Sequence, residues 1–190
     1  LLSATMLRSL SGSLLFQQLG ALETAVGGYP VSGETLIVFT VRGNDLFEAL
    51  NPFVSAQAVA DETIGNFEAI FADLTDPSHF PDGAYVYATN VYEPTDGEGS
   101  TGACFLGYDF SGDLPVFDGF NDDLMALGED MGVSIVDLRG HFLGHGHNHS
   151  DDSIDAYHAD DATLWFDNDC IHPNDRGHHE IRRLFYAAIS

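Results

Sequence analysis

Apolar positions recur along this chain in two alternating periods. Leu7, Leu10, Leu14, Leu15, Leu19 and Leu22 stand at helical spacing, and Gly27-Gly28-Tyr29-Pro30 closes that segment. Thr35 to Val41 is a short, almost uniformly apolar and β-branched run, the pattern of a strand buried on both faces of a parallel sheet. Helical spacing returns over 55–74, with Val59, Ile64, Phe67, Ile70, Phe71 and Leu74 as the core stripe. A second strand is predicted over Ala84–Val91, a helix carrying Leu124 and Leu127 over Phe120–Met131, and a third strand over Val133–Leu138. The last element, Asp175–Ile189, is a helix with Ile181, Leu184, Phe185 and Ile189 on one face. Strand and helix thus alternate, which predicts an α/β protein with a parallel sheet and helices on both faces. No repeat or linker interrupts the pattern, and residues 1–190 read as a single domain.

Two stretches fall outside this alternation. Residues 92–117 and 139–168 are long, rich in Gly and Asp, and read as too polar for core. In an open α/β sheet, ligands bind beyond the carboxyl ends of the strands. The residues there are Arg42–Asp45 after the first strand, Tyr92–Asp96 after the second and Arg139–His149 after the third.

Composition changes the picture in two ways. Thirty Asp and Glu face six Arg and no Lys, a net charge of -24 that disfavours nucleic acids and anionic membrane surfaces as partners. No apolar run approaches the roughly 18 residues a membrane span needs. The acids are scattered, so they do not form a disordered acidic tail. Cys104 and Cys170 are the two cysteines. They fit either two buried thiols or one disulfide formed in an oxidising compartment. The disulfide is the preferred reading, because both lie in irregular segments.

The chemistry-bearing residues begin with Asp169-Cys170-Ile171-His172-Pro173-Asn174, directly before the final helix. An Asp three residues ahead of a His can accept the imidazole Nδ1–H, which leaves Nε2 to take a proton from a hydroxyl. Asn174 or Asp175 can cap the helix that follows. By spacing alone, a helix-capping loop with an incidental His fits as well. The second segment is Arg42-Gly43-Asn44-Asp45, where Gly43 permits a sharp turn and the Asn44 amide can donate to an oxyanion. Taken alone it also fits a plain strand-ending turn.

Together the two segments resemble the SGNH/GDSL-type serine hydrolases. That family carries a Gly-x-Asn-Asp block at a strand end and an Asp-x-x-His block before its C-terminal helix. Residues 90–96 and 140–146 also resemble segments of bacterial members. The resemblance implies a flavodoxin-like three-layer α/β/α sandwich and hydrolysis of carboxylic esters. His172 would be the general base, Asp169 its orienting acid, and Asn44 an oxyanion donor beside Gly43 and Arg42. No cofactor is required for that chemistry, and the implied partner is a small-molecule, lipid or sugar ester.

This sequence departs from the family pattern at two points. Arg42 replaces the first Gly of the third block, and the Gly-Asp-Ser block is absent, with 41 residues preceding Arg42. The nucleophilic Ser and the first strands are therefore expected in a segment preceding Leu1, and this chain alone is expected to be nearly inactive. A secreted or periplasmic location follows from the preferred disulfide. Other classes stay open: a non-catalytic binding module on the same fold, a metal-dependent hydrolase, or a cation-binding structural protein. For a metal, His145, His147 and His149 are minority candidates for Zn²⁺ and the Asp-rich loops for Ca²⁺, beside the plainer reading of a solvated polar loop. Trp165 and His79 read as packing and surface positions.

Overall fold

The computed structural model describes residues 20, 22–24, 26–40, 46, 53–100, 104 and 109–190. Arg42, Gly43 and Asn44 lie outside the described residues, as does most of the predicted first helix. The chain forms two compact units, one of Leu1–Thr89 with Gly119–Ile135 and one of Asn90–Asp118 with Val136–Ser190.

The first unit holds β1 (Thr35–Val38), α1 (Ala56–Leu74) and β2 (Ala84–Thr89). It also holds most of α2 (Leu114–Met131) and the start of β3 (Ser134–Val136). β1 and β2 pair in parallel, from Thr35 opposite Ala84 to Val38 opposite Tyr87, and the sheet order is β1-β2-β3. Ser55 caps α1, its hydroxyl accepting from the Ala58 N–H. The apolar stripe foreseen for α1 forms the core, with Phe67 and Phe71 fully buried and Phe67 packing on Phe120 at 6.4 Å between ring centroids. Gly128 is required where α2 passes β3, because a Cβ there would collide with Ile135. Tyr29 stacks on His79 at 4.0 Å and donates to Asp73, so His79 is held rather than merely displayed.

β1 departs from expectation. Its run is apolar throughout, yet Ile37 alone is buried, while Leu36 and Val38 are 42% and 43% exposed. They share a face with the exposed Tyr85, which sits opposite Leu36 in the register. β1 is an edge strand among the described residues, and that face is open among them. Composition tells that a strand is apolar, not which of its faces receives a neighbour. α2 starts at Leu114, six residues before the apolar periodicity that predicted it.

The second unit is built from loops and two helices, α3 (Leu138–Phe142) and α4 (Asp175–Ile189). Its core corrects the reading of 139–168 as too polar to be buried: Leu138, Phe142, Trp165 and Phe166 cluster at 2% exposure or less. Tyr92, Leu164, Ile181 and Leu184 pack against them. The reason is density. Three aromatic side chains scattered among Gly, Asp and His, joined by Leu138 just before them, carry enough apolar area to build a core without periodicity.

Candidate functional site

The loop between Phe166 and α4 is closed by short-range hydrogen bonds. Phe166 and Pro173 form an isolated antiparallel bridge, the Asp167 N–H donates to the His172 carbonyl at 2.8 Å, and the Asn174 N–H donates to the Trp165 carbonyl at 2.9 Å. Asn174 then caps α4, its side-chain oxygen accepting from the Arg176 and Gly177 N–H groups. The same side chain donates to the Leu164 and Phe166 carbonyls. One residue thus starts the helix and fixes the two strands of the loop.

Within this frame the two oxygens of Asp169 have separate tasks. Oδ1 accepts the backbone N–H groups of Ile171 (3.1 Å) and His172 (2.9 Å), which anchors the carboxylate. Oδ2 lies 2.6 Å from His172 Nδ1, the geometry in which Nδ1 donates and the other nitrogen keeps its lone pair. Burial pushes the Asp169 carboxyl up, but the hydrogen bonds from His172 and Ile171 outweigh it and hold the group below the ordinary carboxylate range. The pair is open to solvent, with 64% of the His172 side chain exposed. Among the described residues no serine hydroxyl hydrogen-bonds His172.

Cys170, between the two, has φ +73°, a left-handed conformation that costs a residue with a Cβ about 1 kcal/mol or more. It is held there by its N–H donating to the Asp167 carbonyl and by a disulfide to Cys104, with 6.0 Å between Cα atoms. Of the two readings of the cysteines, the bridge is the observed one. It ties the Asp169–His172 loop to a segment 66 residues away.

The strand-end segments hold a polar framework that periodicity could not reveal. Asn90 donates to Asp137 and accepts the Arg139 N–H, while Asp137 caps α3 by accepting from the Gly140 N–H. Glu93 is 2% exposed and accepts from the Thr95 N–H and hydroxyl and the Gly97 N–H. Burial raises its carboxyl above the ordinary value, against those hydrogen bonds. Asp96, also buried and at φ +58°, accepts from the N–H groups of Gly144, Gly146 and Asn148 at 2.6–2.9 Å. Burial raises its carboxyl too. Gly146 has no substitute here, since a Cβ would run into the Pro94 carbonyl and Asp96. The sequence signal for these residues was their place after β2 and β3, which singled out 92–96 and 139–149 without separating anchors from ligands.

The histidine-rich segment is not a solvated loop. His145 is 6% exposed and stacks on Trp165 at 3.5 Å and on His158 at 5.2 Å. Burial lowers its pKa, which favours the neutral ring. His149 Nδ1 lies 2.8 Å from the Gly146 carbonyl, and His141 pairs with Glu180 at 3.1 Å. Glu180 is itself buried and meets Arg176 and Arg183. Burial raises the Glu180 carboxyl, but His141 and the two guanidinium groups outweigh this and lower it. Of the three candidate metal ligands, His147 is the one that belongs to a cluster of three ligating side chains among the described residues, with the two cysteine sulfurs. The remaining two are used in packing and loop closure.

The sequence matches no protein-family model and no curated protein. Solved structures do match. An acetylxylan esterase, Axe2 from Geobacillus stearothermophilus, is 16% identical at a TM-score of 0.58, over 95% of this chain and 69% of that one. LAE5, an alpha/beta hydrolase enzyme from the metagenome of Lake Arreo, is 18% identical at 0.57, over 94% and 68%. The acetyl xylan esterase AlAXEase is 16% identical at 0.60, over 95% and 78%. At these identities the likeness is one of fold. The chain shares the α/β fold of these structures, the fold class its alternation of strand and helix predicted.

Proposed function

We propose that this chain carries the acid–base half of an ester-hydrolysing site. The observation behind the reading is the Asp169–His172 pair, built into a self-closed loop before α4 with the imidazole open to solvent. His172 Nε2 takes the proton of a nucleophilic serine as its oxygen attacks the ester carbonyl. Asp169 holds the tautomer and stabilises the imidazolium that forms. The resemblance gives Asn44 the role of oxyanion donor, with Gly43 and Arg42 in the same sequence segment. His172 then returns its proton to the departing alcohol, and water attacks the acyl-enzyme by the same route. A bound metal or organic cofactor has no part in these steps. The structural neighbours include acetylxylan esterases, so O-acetylated sugars are the substrate class to assay first. The disulfide fits an oxidising compartment, which supports a secreted or periplasmic protein. No helix of the described residues is long and apolar enough to cross a membrane.

The test uses the full gene product, treated with a fluorophosphonate probe and assayed on acetylated oligosaccharides and simple aryl acetates. One serine should label, and His172→Ala should lower turnover by about a thousandfold or more while the fold is retained. Undiminished turnover in that variant, or no labelled serine, would overturn the reading.

A further inference from the structure

The disulfide and the one histidine beside it form a cluster that the ester chemistry does not use. Cys104 Sγ, Cys170 Sγ and His147 Nε2 all lie within 4.8 Å of one another, and His147 Nε2 is 3.7 Å from Cys104 Sγ. In a tetrahedral zinc site, with Zn–S about 2.3 Å and Zn–N about 2.0–2.1 Å, ligand atoms sit roughly 3.4–3.8 Å apart. The nitrogen-to-sulfur spacing already meets that geometry. The two sulfurs must separate, and their Cα atoms stand 6.0 Å apart.

Two of the three side chains are positioned by bonds that do not depend on the disulfide. The His147 N–H donates to the Pro94 carbonyl, and Asp96 holds both neighbouring residues, Gly146 and Asn148. The Cys170 N–H donates to the Asp167 carbonyl, inside the loop that Asp169 and Asn174 brace. Breaking the S–S bond therefore leaves a thiol and an imidazole close to where they stand.

We propose that reduction of the Cys104–Cys170 disulfide creates a metal site, in which Cys104, Cys170 and His147 bind a thiophilic divalent cation, Zn²⁺ foremost. A dithiol supplies two electrons and two protons to the S–S bond and leaves as its own disulfide, giving two thiols. The cation then displaces one proton from each thiol and takes the imidazole lone pair. Two thiolates and one imidazole select Zn²⁺ over Ca²⁺ and Mg²⁺, which prefer oxygen. The fourth position is left to solvent. The disulfide and the metal are alternative cross-links between the same two segments, so the loop that bears Asp169 and His172 stays tied in either state. The proposal does not depend on ester hydrolysis, since neither Asp169 nor His172 is a ligand.

The test is titration of the purified protein with Co²⁺ and then Zn²⁺, oxidised and after reduction by a phosphine that is removed before metal is added. The reduced protein should bind one equivalent, with a sulfur-to-cobalt charge-transfer band that Zn²⁺ abolishes. The oxidised protein should show no such band. His147→Ala should weaken Co²⁺ binding at least tenfold, with formation of its disulfide, counted by thiol titration, confirming the fold. His149→Ala should bind as the wild type does. Absence of the band in the reduced protein, or equal affinity in wild type and His147→Ala, would overturn the site.

Discussion

The two units hold themselves together by different means. In the first, Phe67, Phe71 and Leu74 are buried along one helix, Phe67 against Phe120, and the buried side chains are almost all apolar. In the second, a small aromatic core is surrounded by buried carboxylates: Glu93 and Asp96 gather backbone N–H groups, while Glu180 gathers cationic side chains. Apolar burial is non-directional and tolerates small shifts. A carboxylate that accepts three N–H groups across its two oxygens fixes loop atoms to within a fraction of an ångström. Loops without periodic secondary structure need the second kind of support, and a sheet with its helices needs only the first.

Four changes would sharpen or break that comparison, from the largest effect down. Phe67→Ala removes a fully buried ring from the first unit and should cost about 3–5 kcal/mol in urea unfolding, with little dependence on pH. Cys104→Ser removes the bridge and should cost about 2–4 kcal/mol, a loss that wild type reproduces under reducing, metal-free conditions. Asp96→Asn turns a donor toward at least one of three backbone N–H groups and should cost about 1–3 kcal/mol. Protection of the Gly144, Gly146 and Asn148 amides should fall with it, as read by hydrogen exchange. If Asp96→Asn cost nothing, the polar framework would not be what holds these loops.

The smallest effect is one of pH. Burial raises the Glu93 carboxyl, so the folded chain holds that proton more tightly than the unfolded chain does. That contribution to stability is present below the ordinary Glu value of about 4.3 and is lost as pH rises from there through the folded value. Glu93→Gln lacks the proton, so the stability of wild type relative to the variant should decline across that window, by at most about 1.4 kcal/mol per pH unit. Denaturant midpoints of both proteins across that range measure it. The opposite slope would mean that the hydrogen bonds to Glu93 outweigh its burial.

Much of the fold was legible because periodicity reports burial directly. The bounds of α1 and α4 differ little from those the apolar spacing predicted, and the dyad spacing Asp169–His172 is short enough for one loop to enforce. What misled was polarity averaged over a segment. Residues 139–168 contain the core aromatics Phe142, Trp165 and Phe166, set among Asp and His that averaging made appear solvated. The exposed face of β1 misled in the other direction, since Leu36 and Val38 looked like core.

The sequence by itself determined the alternation of strand and helix and the stripes that become helix cores, and it offered the Asp169–His172 pairing and a cap at Asn174 or Asp175, all of which depend on residues close along the chain. The tertiary structure alone decided that Cys104 meets Cys170, that His147 rather than His145 or His149 lies beside their sulfurs, and that Asp96 ties a loop about fifty residues away. Local spacing carries the first set because a helix turn or a tight loop brings those atoms together whatever the rest of the chain does. The second set depends on where distant segments are delivered, and no pattern within either segment encodes that.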